Sequence, residues 1–217
     1  NILLNNTPLE QVAKCAYLGV ILDDSLTWDH QINKLCKSLG CKIQQLRIVR
    51  NKCKNFDICK YVYNTTIQPV IDYGITVWST IPKYQLERIQ HLQNCCARIV
   101  TNNFDYINTR GIDLVKKLNW MNISERVEYF TGLLMYKCIN GLAPCYLQNE
   151  VTLVKDISQK SLRSSSTLNM HKPFAKSQKS KSIFIRGADI WNNTPDCIQS
   201  VTKMSMFKKD LKKHVLN

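Results

Sequence analysis

Six positions, Ile32, Leu35, Cys36, Leu39, Ile43 and Leu46, return at intervals of three and four residues. Only an α-helix brings positions with that spacing onto one face, so this stretch cannot be a strand or a loop. Thr27 or Asp29 is placed to cap the helix, and Lys34 and Lys37 fall on the side away from the apolar stripe. The same spacing recurs downstream. A second helix is expected from an Asn55 cap to Thr66, with Ile58, Cys59, Val62 and Thr66 inward and Gln68-Pro69 interrupting it. Tyr73-Gly74 and Trp78 follow as bulky residues wedged among helices. A third helix starts near Pro82 and runs to Val100 through Leu86, Ile89, Gln93, Cys96 and Ala97.

Residues 112–118 and 123–139 give two further helices, the second through Val127, Phe130, Leu134 and Cys138 and stopped by Asn140-Gly141 and Pro144. The chain ends in an amphipathic helix with Ser205 as cap, Phe207, Leu211 and Val215 inward, and Lys208, Lys209, Lys212 and Lys213 on the other face. Strand signals are short: residues 2–4 before an Asn5-Asn6 turn, residues 9–12, the apolar run 15–22, and Ile183-Phe184-Ile185. Residues 155–182, rich in Ser, Lys and Gln, read as a linker. The expected class is mainly α, of the α+β kind.

Charge narrows the function. The 217 residues hold 30 Lys and Arg against 16 Asp and Glu, a net +14. Residues 34–60 carry eight of those cations (Lys34, Lys37, Lys42, Arg47, Arg50, Lys52, Lys54, Lys60) and one acid, Asp57. Residues 160–217 carry twelve cations and three acids. Cations concentrated in two blocks are what contact with successive phosphates requires, and a polyanion such as nucleic acid is the expected partner. No stretch approaches the roughly 20 apolar residues of a membrane span, and no membrane partner is expected. A polar NNTPLEQ stretch near the start argues against a secretory signal, so a nuclear or cytoplasmic chain with reduced thiols is expected.

Active-site chemistry finds little support. Seven scattered glycines give no phosphate-cradling loop, and the four histidines stand apart from one another. Cys36-x4-Cys41 and Cys53-x5-Cys59 lack zinc-knuckle spacing, and no metal site is expected. Asp23-Asp24 follows an apolar run, as the aspartates of a two-metal polymerase do. Only 22 residues precede the pair, too few for the sheet such a site needs, so a strand-to-helix turn is the reading adopted.

Six segments in order carry a family resemblance. YLGVILDDSLTWDHQINKL (residues 17–35) resembles the block that follows the palm in reverse transcriptases of non-LTR retrotransposons, LINE elements of the jockey-like type. NTTIQPVIDYGITVW (64–78), ERIQHLQNCCARIV (87–100) and LNWMNISERVEYFTGLLMYKCINGLAPCYL (118–147) are similar to the stretches that come next in that family. RGADIWNNTP (186–195) and FKKDLKKHVL (207–216) resemble its C-terminal end.

The resemblance implies an organisation: residues 1–24 as the end of a palm with primer-grip-like strands, and 25–104 as a helical thumb. Next come 105–154 as a post-thumb helical region, 155–182 as a basic linker, and 183–217 as a strand–helix unit. It implies an RNA-directed DNA polymerase as parent, with the catalytic aspartates and their Mg²⁺ in a palm upstream. This chain is then a fragment without activity of its own, needing no cofactor. Its partners would be RNA or an RNA/DNA duplex, together with the upstream palm and endonuclease domains. The expected phosphate contacts are Lys34, Lys37, Lys42, Arg47, Arg50, Lys52 and Lys54, with Lys208, Lys209, Lys212 and Lys213 as a secondary basic face. The alternative is a domesticated or relic helical interaction protein without polymerase function.

Overall fold

A computed structural model describes residues 3–5, 7, 8, 10–157, 168–172 and 182–216. Helix makes up 65% of the structure, so the mainly α class is the one observed. Two short antiparallel hairpins open the chain. Strand β1 (Leu3–Leu4) pairs with β2 (Thr7–Pro8), and β3 (Lys14–Tyr17) pairs with β4 (Val20–Asp23). The apolar run at 15–22 is therefore a hairpin and not one strand. Leu18 and Gly19 both take positive φ (46° and 81°), as a two-residue turn matched to strand twist demands. No strand forms over residues 10–13; the pairing starts at Lys14.

By contacts the chain divides into two units. The first takes in Asn1–Gly74 and Ile81–Phe104, and the second Ile75–Thr80 and Asp105–Asn217. In the first, helix α1 (Asp29–Cys53) packs chiefly on α5 (Lys83–Thr101) and also on α2 (Phe56–Val62). Ile32, Leu35, Leu39, Ile43 and Leu46 are buried, with Cys36 only half-buried at the stripe's edge. Gln31, a polar residue, is buried with them because its Oε1 accepts the Ile21 backbone N–H at 2.9 Å.

Pro69 does not interrupt the helix after α2. The chain passes through a π-helical turn (Tyr63–Ile67) into α3 (Gln68–Asp72), the Gln68 N–H reaching back to the Tyr63 carbonyl. A proline removes an N–H and crowds the preceding turn, and widening that turn by one residue relieves both. The extra residue also changes the phase. Cys59, Tyr63, Ile67 and Ile71 face inward and Thr66 is exposed; Ile58, expected inside, lies before that turn and is 43% exposed. Tyr73 is likewise 55% exposed and not wedged, although its hydroxyl donates to the Leu18 carbonyl.

The second unit holds α4 (Ile75–Trp78), α6 (Gly111–Lys117), α7 (Ile123–Ile139), α8 (Cys145–Gln148), α9 (Val154–Ile157), α10 (Ile183–Asn192), α11 (Asp196–Gln199) and α12 (Met204–Leu216). Helix α7 is its centre, with α10, α12 and α4 packed on it. Asn122 starts α7 with a capping box: its Oδ1 accepts the Glu125 N–H, and the Glu125 carboxylate accepts the Asn122 N–H. The Tyr136 and Phe207 rings stack with centroids 4.1 Å apart, beside a fully buried Trp191.

Ile183-Phe184-Ile185, expected as a strand, forms the first turn of α10, so the last segment begins with a helix and not a strand. Its β-branched residues favour a strand locally. The Ser182 cap and the burial of Gly187, Ala188 and Trp191 against α7 override that preference. Helix α12 begins at Met204, so Ser205 lies inside its first turn and is not the cap.

Of the stretch read as a linker, residues 155–157 belong to α9, Leu153 bridges Met170, and 158–167 and 173–181 lie outside the described residues. Trp191, Asn192 and Pro195 secure the 168–170 segment and the turn that follows. The Trp191 indole donates to the Leu168 carbonyl at 2.8 Å. The Asn192 carboxamide both accepts from the Met170 N–H (2.8 Å) and donates to the Met170 carbonyl (3.0 Å). Pro195 occupies the N-cap position of α11, where its lack of an N–H costs nothing.

Candidate nucleic-acid interface

The basic block at 34–60 is built on α1, and the first question is what starts that helix. Its N-cap residue is Trp28, in a left-handed conformation and without a capping side chain; the Thr27 hydroxyl accepts the Asp29 N–H at 3.5 Å, and Asp29 is itself the first residue of the helix. Asp23, at the end of β4, orders the turn that leads into the helix. Its carboxylate accepts the Thr27 N–H at 2.8 Å, the Trp28 N–H at 3.0 Å and the Thr27 hydroxyl. The Thr27 backbone hydrogen bond is the main cause that holds the Asp23 carboxyl below its ordinary range. Asp24 is exposed and accepts the Ser25 hydroxyl. This arrangement is that of a strand-to-helix turn. Among the described residues no group of three or more His, Cys, Asp or Glu could hold a metal ion.

Beyond Asp29, α1 contains no acid, and Asp29 itself accepts from the Gln85 carboxamide of α5. The cations along it differ in where they point. Lys34, Lys37 and Lys52 project from the side opposite the buried stripe and are exposed. At about 1.5 Å per residue, Lys34 and Lys52 stand about 27 Å apart along the axis. Lys34 also donates to the Gly19 carbonyl at 2.8 Å, tying the β3–β4 turn to the helix. Arg47 leaves one flank, exposed, and Lys42 the other, half-buried. Arg50 lies in line with the stripe, one turn beyond its last buried residue, and Lys54 is the exposed C-cap. The seven therefore form an outer row of three, two flanking residues and a pair at the helix end, rather than one face. Among the described residues no carboxylate pairs with any of them.

The helix end has a geometry that the sequence did not disclose. Gln85 meets Asp29 and Arg88 meets Asn33 (3.0 Å), so α1 and α5 start side by side and run in the same direction. Their C-caps, Lys54 (φ 47°) and Asn102 (φ 55°), are both left-handed and lie at a common end. A pocket of about 430 Å³ opens there, lined by Arg50, Asn51, Lys54 and Asn102.

The second basic face, on α12, is one-sided. Phe207 and Leu211 are buried, and Lys208, Lys209, Lys212 and Lys213 are all exposed on the opposite arc. Among the described residues no helix is long and apolar enough to cross a membrane.

No family model matches the chain, and no solved structure matches it. Curated relatives do. The chain is 30% identical over 131 residues to a probable RNA-directed DNA polymerase from transposon BS of Drosophila melanogaster, a match covering 59% of this chain and 14% of the relative. It is 30% identical over 113 residues to the RNA-directed DNA polymerase from mobile element jockey of Drosophila funebris, covering 51% and 12%. Over 100 residues it is 25% identical to a probable RNA-directed DNA polymerase from transposon X-element of Drosophila melanogaster, covering 45% and 11%. The matches thus take in about half of this chain and no more than 14% of any of these relatives, and on them the chain is related to the reverse transcriptases of non-LTR, LINE-like retrotransposons.

Proposed function

We propose that this chain is the thumb-containing, nucleic-acid-holding part of a non-LTR retrotransposon RNA-directed DNA polymerase. It grips a template–primer duplex through backbone phosphates while a separate palm, with its Mg²⁺, carries out polymerisation. The observation that supports this reading is the row of cations on α1, exposed and without an acid on the helix after Asp29. Phosphates condense counterions, and lysines that replace those counterions gain affinity from their release, whatever the base sequence. The face of α12 adds four further lysines in the second unit. Phosphate contacts position a duplex without reading it, so binding is expected to be indifferent to sequence.

The test is a fluorescence-anisotropy titration of the full chain with labelled RNA–DNA hybrids of unrelated sequence, at about 50 and about 200 mM salt. Affinity should be equal across sequences and fall by at least tenfold between the two salts. Binding that ignores salt, or no binding at about 50 mM, would overturn the reading and favour an interaction protein that holds another protein.

A further inference from the structure

The pocket at the common end of α1 and α5 has a lining unlike the rest of the basic surface. It combines two cations, Arg50 and Lys54, with two carboxamides, Asn51 and Asn102, and has no acidic residue in its wall. We propose that it seats one nucleotide unit of the bound strand, the phosphate on Arg50 and Lys54 and the sugar or base edge on Asn51 and Asn102. This rests on the nucleic-acid reading above and specifies where one unit of the strand is held.

Three observations carry it. The first is size: about 430 Å³ is more than a phosphate alone needs and lies within the roughly 300–1,000 Å³ of small-ligand sites. The second is chemistry. Guanidinium and ammonium groups supply charge-assisted donors for phosphate oxygens, whereas a carboxamide both donates and accepts, as a sugar hydroxyl or a base edge requires. An acidic side chain of a partner protein would use the cations and the carboxamide N–H donors but leave the two carboxamide oxygens without a donor.

The third is the backbone. A helix that ends in a left-handed residue ordinarily has glycine there, because a Cβ disfavours that conformation. Lysine occupies the position in α1. Leu18, Leu26 and Trp28 also hold positive φ, and Lys54 is the charged residue among the described non-glycine cases, so the strained cap brings a cation to the pocket.

Two helix C-termini put partial negative charge beside this site, which opposes an anion. The capping bonds blunt that effect. The Arg50 carbonyl accepts the Lys54 N–H at 3.0 Å, the Ile99 carbonyl accepts the Asn102 N–H, and the Arg98 carbonyl accepts the Asn103 N–H. With roughly half a charge at each helix end, the two side-chain cations leave the pocket net positive.

The experiment is an NMR titration of the full chain with adenosine 5′-monophosphate, adenosine, inorganic phosphate and a tetraglutamate peptide, following the Asn51 and Asn102 side-chain amides. Adenosine 5′-monophosphate should move both, bind at least about fivefold tighter than phosphate or the peptide, and leave adenosine as a non-binder. Lys54→Gly should keep or raise the melting temperature, since glycine suits the left-handed cap, and weaken nucleotide binding about tenfold. Arg50→Gln should do the same to binding. Unmoved asparagine signals, equal binding by phosphate, tighter binding by the peptide, or full binding by Lys54→Gly would each overturn the proposal. Salt-dependent hybrid binding that persists in any of those cases would leave the phosphate-grip reading standing.

Discussion

Replacing Asn192 by alanine removes a clamp on the chain that can be worked through quantitatively. The Asn192 carboxamide forms both hydrogen bonds to the Met170 backbone, at 2.8 and 3.0 Å, and Met170 is 3% exposed. A net intramolecular hydrogen bond contributes about 1 kcal/mol, and a buried backbone group left unpaired adds to the cost. Asn192→Ala should therefore destabilise the second unit by about 2–3 kcal/mol, close to 5–10 °C in its melting temperature at about 2–4 °C per kcal/mol. Hydrogen exchange at the Met170 amide should accelerate by more than tenfold, while the amides of α1 keep their protection.

Asn192→Asp refines the test. The ionised carboxylate still accepts from the Met170 N–H but faces the Met170 carbonyl, whereas the protonated acid can donate to it. Its folded-state pKa is then raised above the unfolded value of about 3.9. The stability this variant regains is complete below that value and is lost as pH rises through the folded pKa. Thermal melts of both variants against pH, with exchange at Met170, measure all of this. Wild-type melting and wild-type exchange in Asn192→Ala would refute the clamp.

Other consequences follow from packing, capping and burial. A methyl group on Gly187 would overlap Sδ of the fully buried Met135, so Gly187→Ala should cost about 1–3 kcal/mol in chemical denaturation; a neutral result would contradict the packing of α10 on α7. Asp23→Ala should loosen the turn before α1 and cost about 1 kcal/mol at neutral pH, the order of a net hydrogen bond at a site open to water. Because the folded pKa of Asp23 is depressed, the difference from wild type should be present above about pH 3.9 and vanish as pH falls through the folded value. Native-state alkylation should modify the exposed Cys15, Cys41, Cys53, Cys145 and Cys197 and spare Cys59, Cys96 and Cys138 until the chain unfolds. Burial, with Cys95 adjacent, pushes the Cys96 thiol up to about 12, and mass spectrometry of the adducts would show its early modification if that were wrong.

The long helices were legible because their signal is periodic and local. The stripe from Ile32 to Leu46, the Asn55 cap and the span Ile123–Ile139 emerge in the structure as read from the residues. What escaped depends on partners distant in sequence. Asp23 fixes the Thr27 and Trp28 backbone just before a helix that begins six residues later, a role indistinguishable in sequence from an ordinary turn aspartate. The π turn before Pro69 shifts the buried face by one residue, and no spacing rule anticipates it. Ile183-Phe184-Ile185 reads as strand until Gly187 and Trp191 find α7. The same limit applies to the interface. Charge density placed the cations on α1, but only the parallel course of α1 and α5 brings Lys54 and Asn102 to one pocket.

The most direct test of the phosphate grip is the slope of log K against log salt for an RNA–DNA hybrid. The outer-row variant Lys34→Gln/Lys37→Gln/Lys52→Gln is compared with wild type and with a control outside the seven, Lys117→Gln, exposed on α6. Three phosphate contacts at about 0.9 each predict a slope shallower by about 2.7 in the triple variant, and little change in the control. Neutralising all seven cations should lower it by up to about six. A triple variant that binds with the wild-type slope would contradict the account, since α1 would then hold no phosphates.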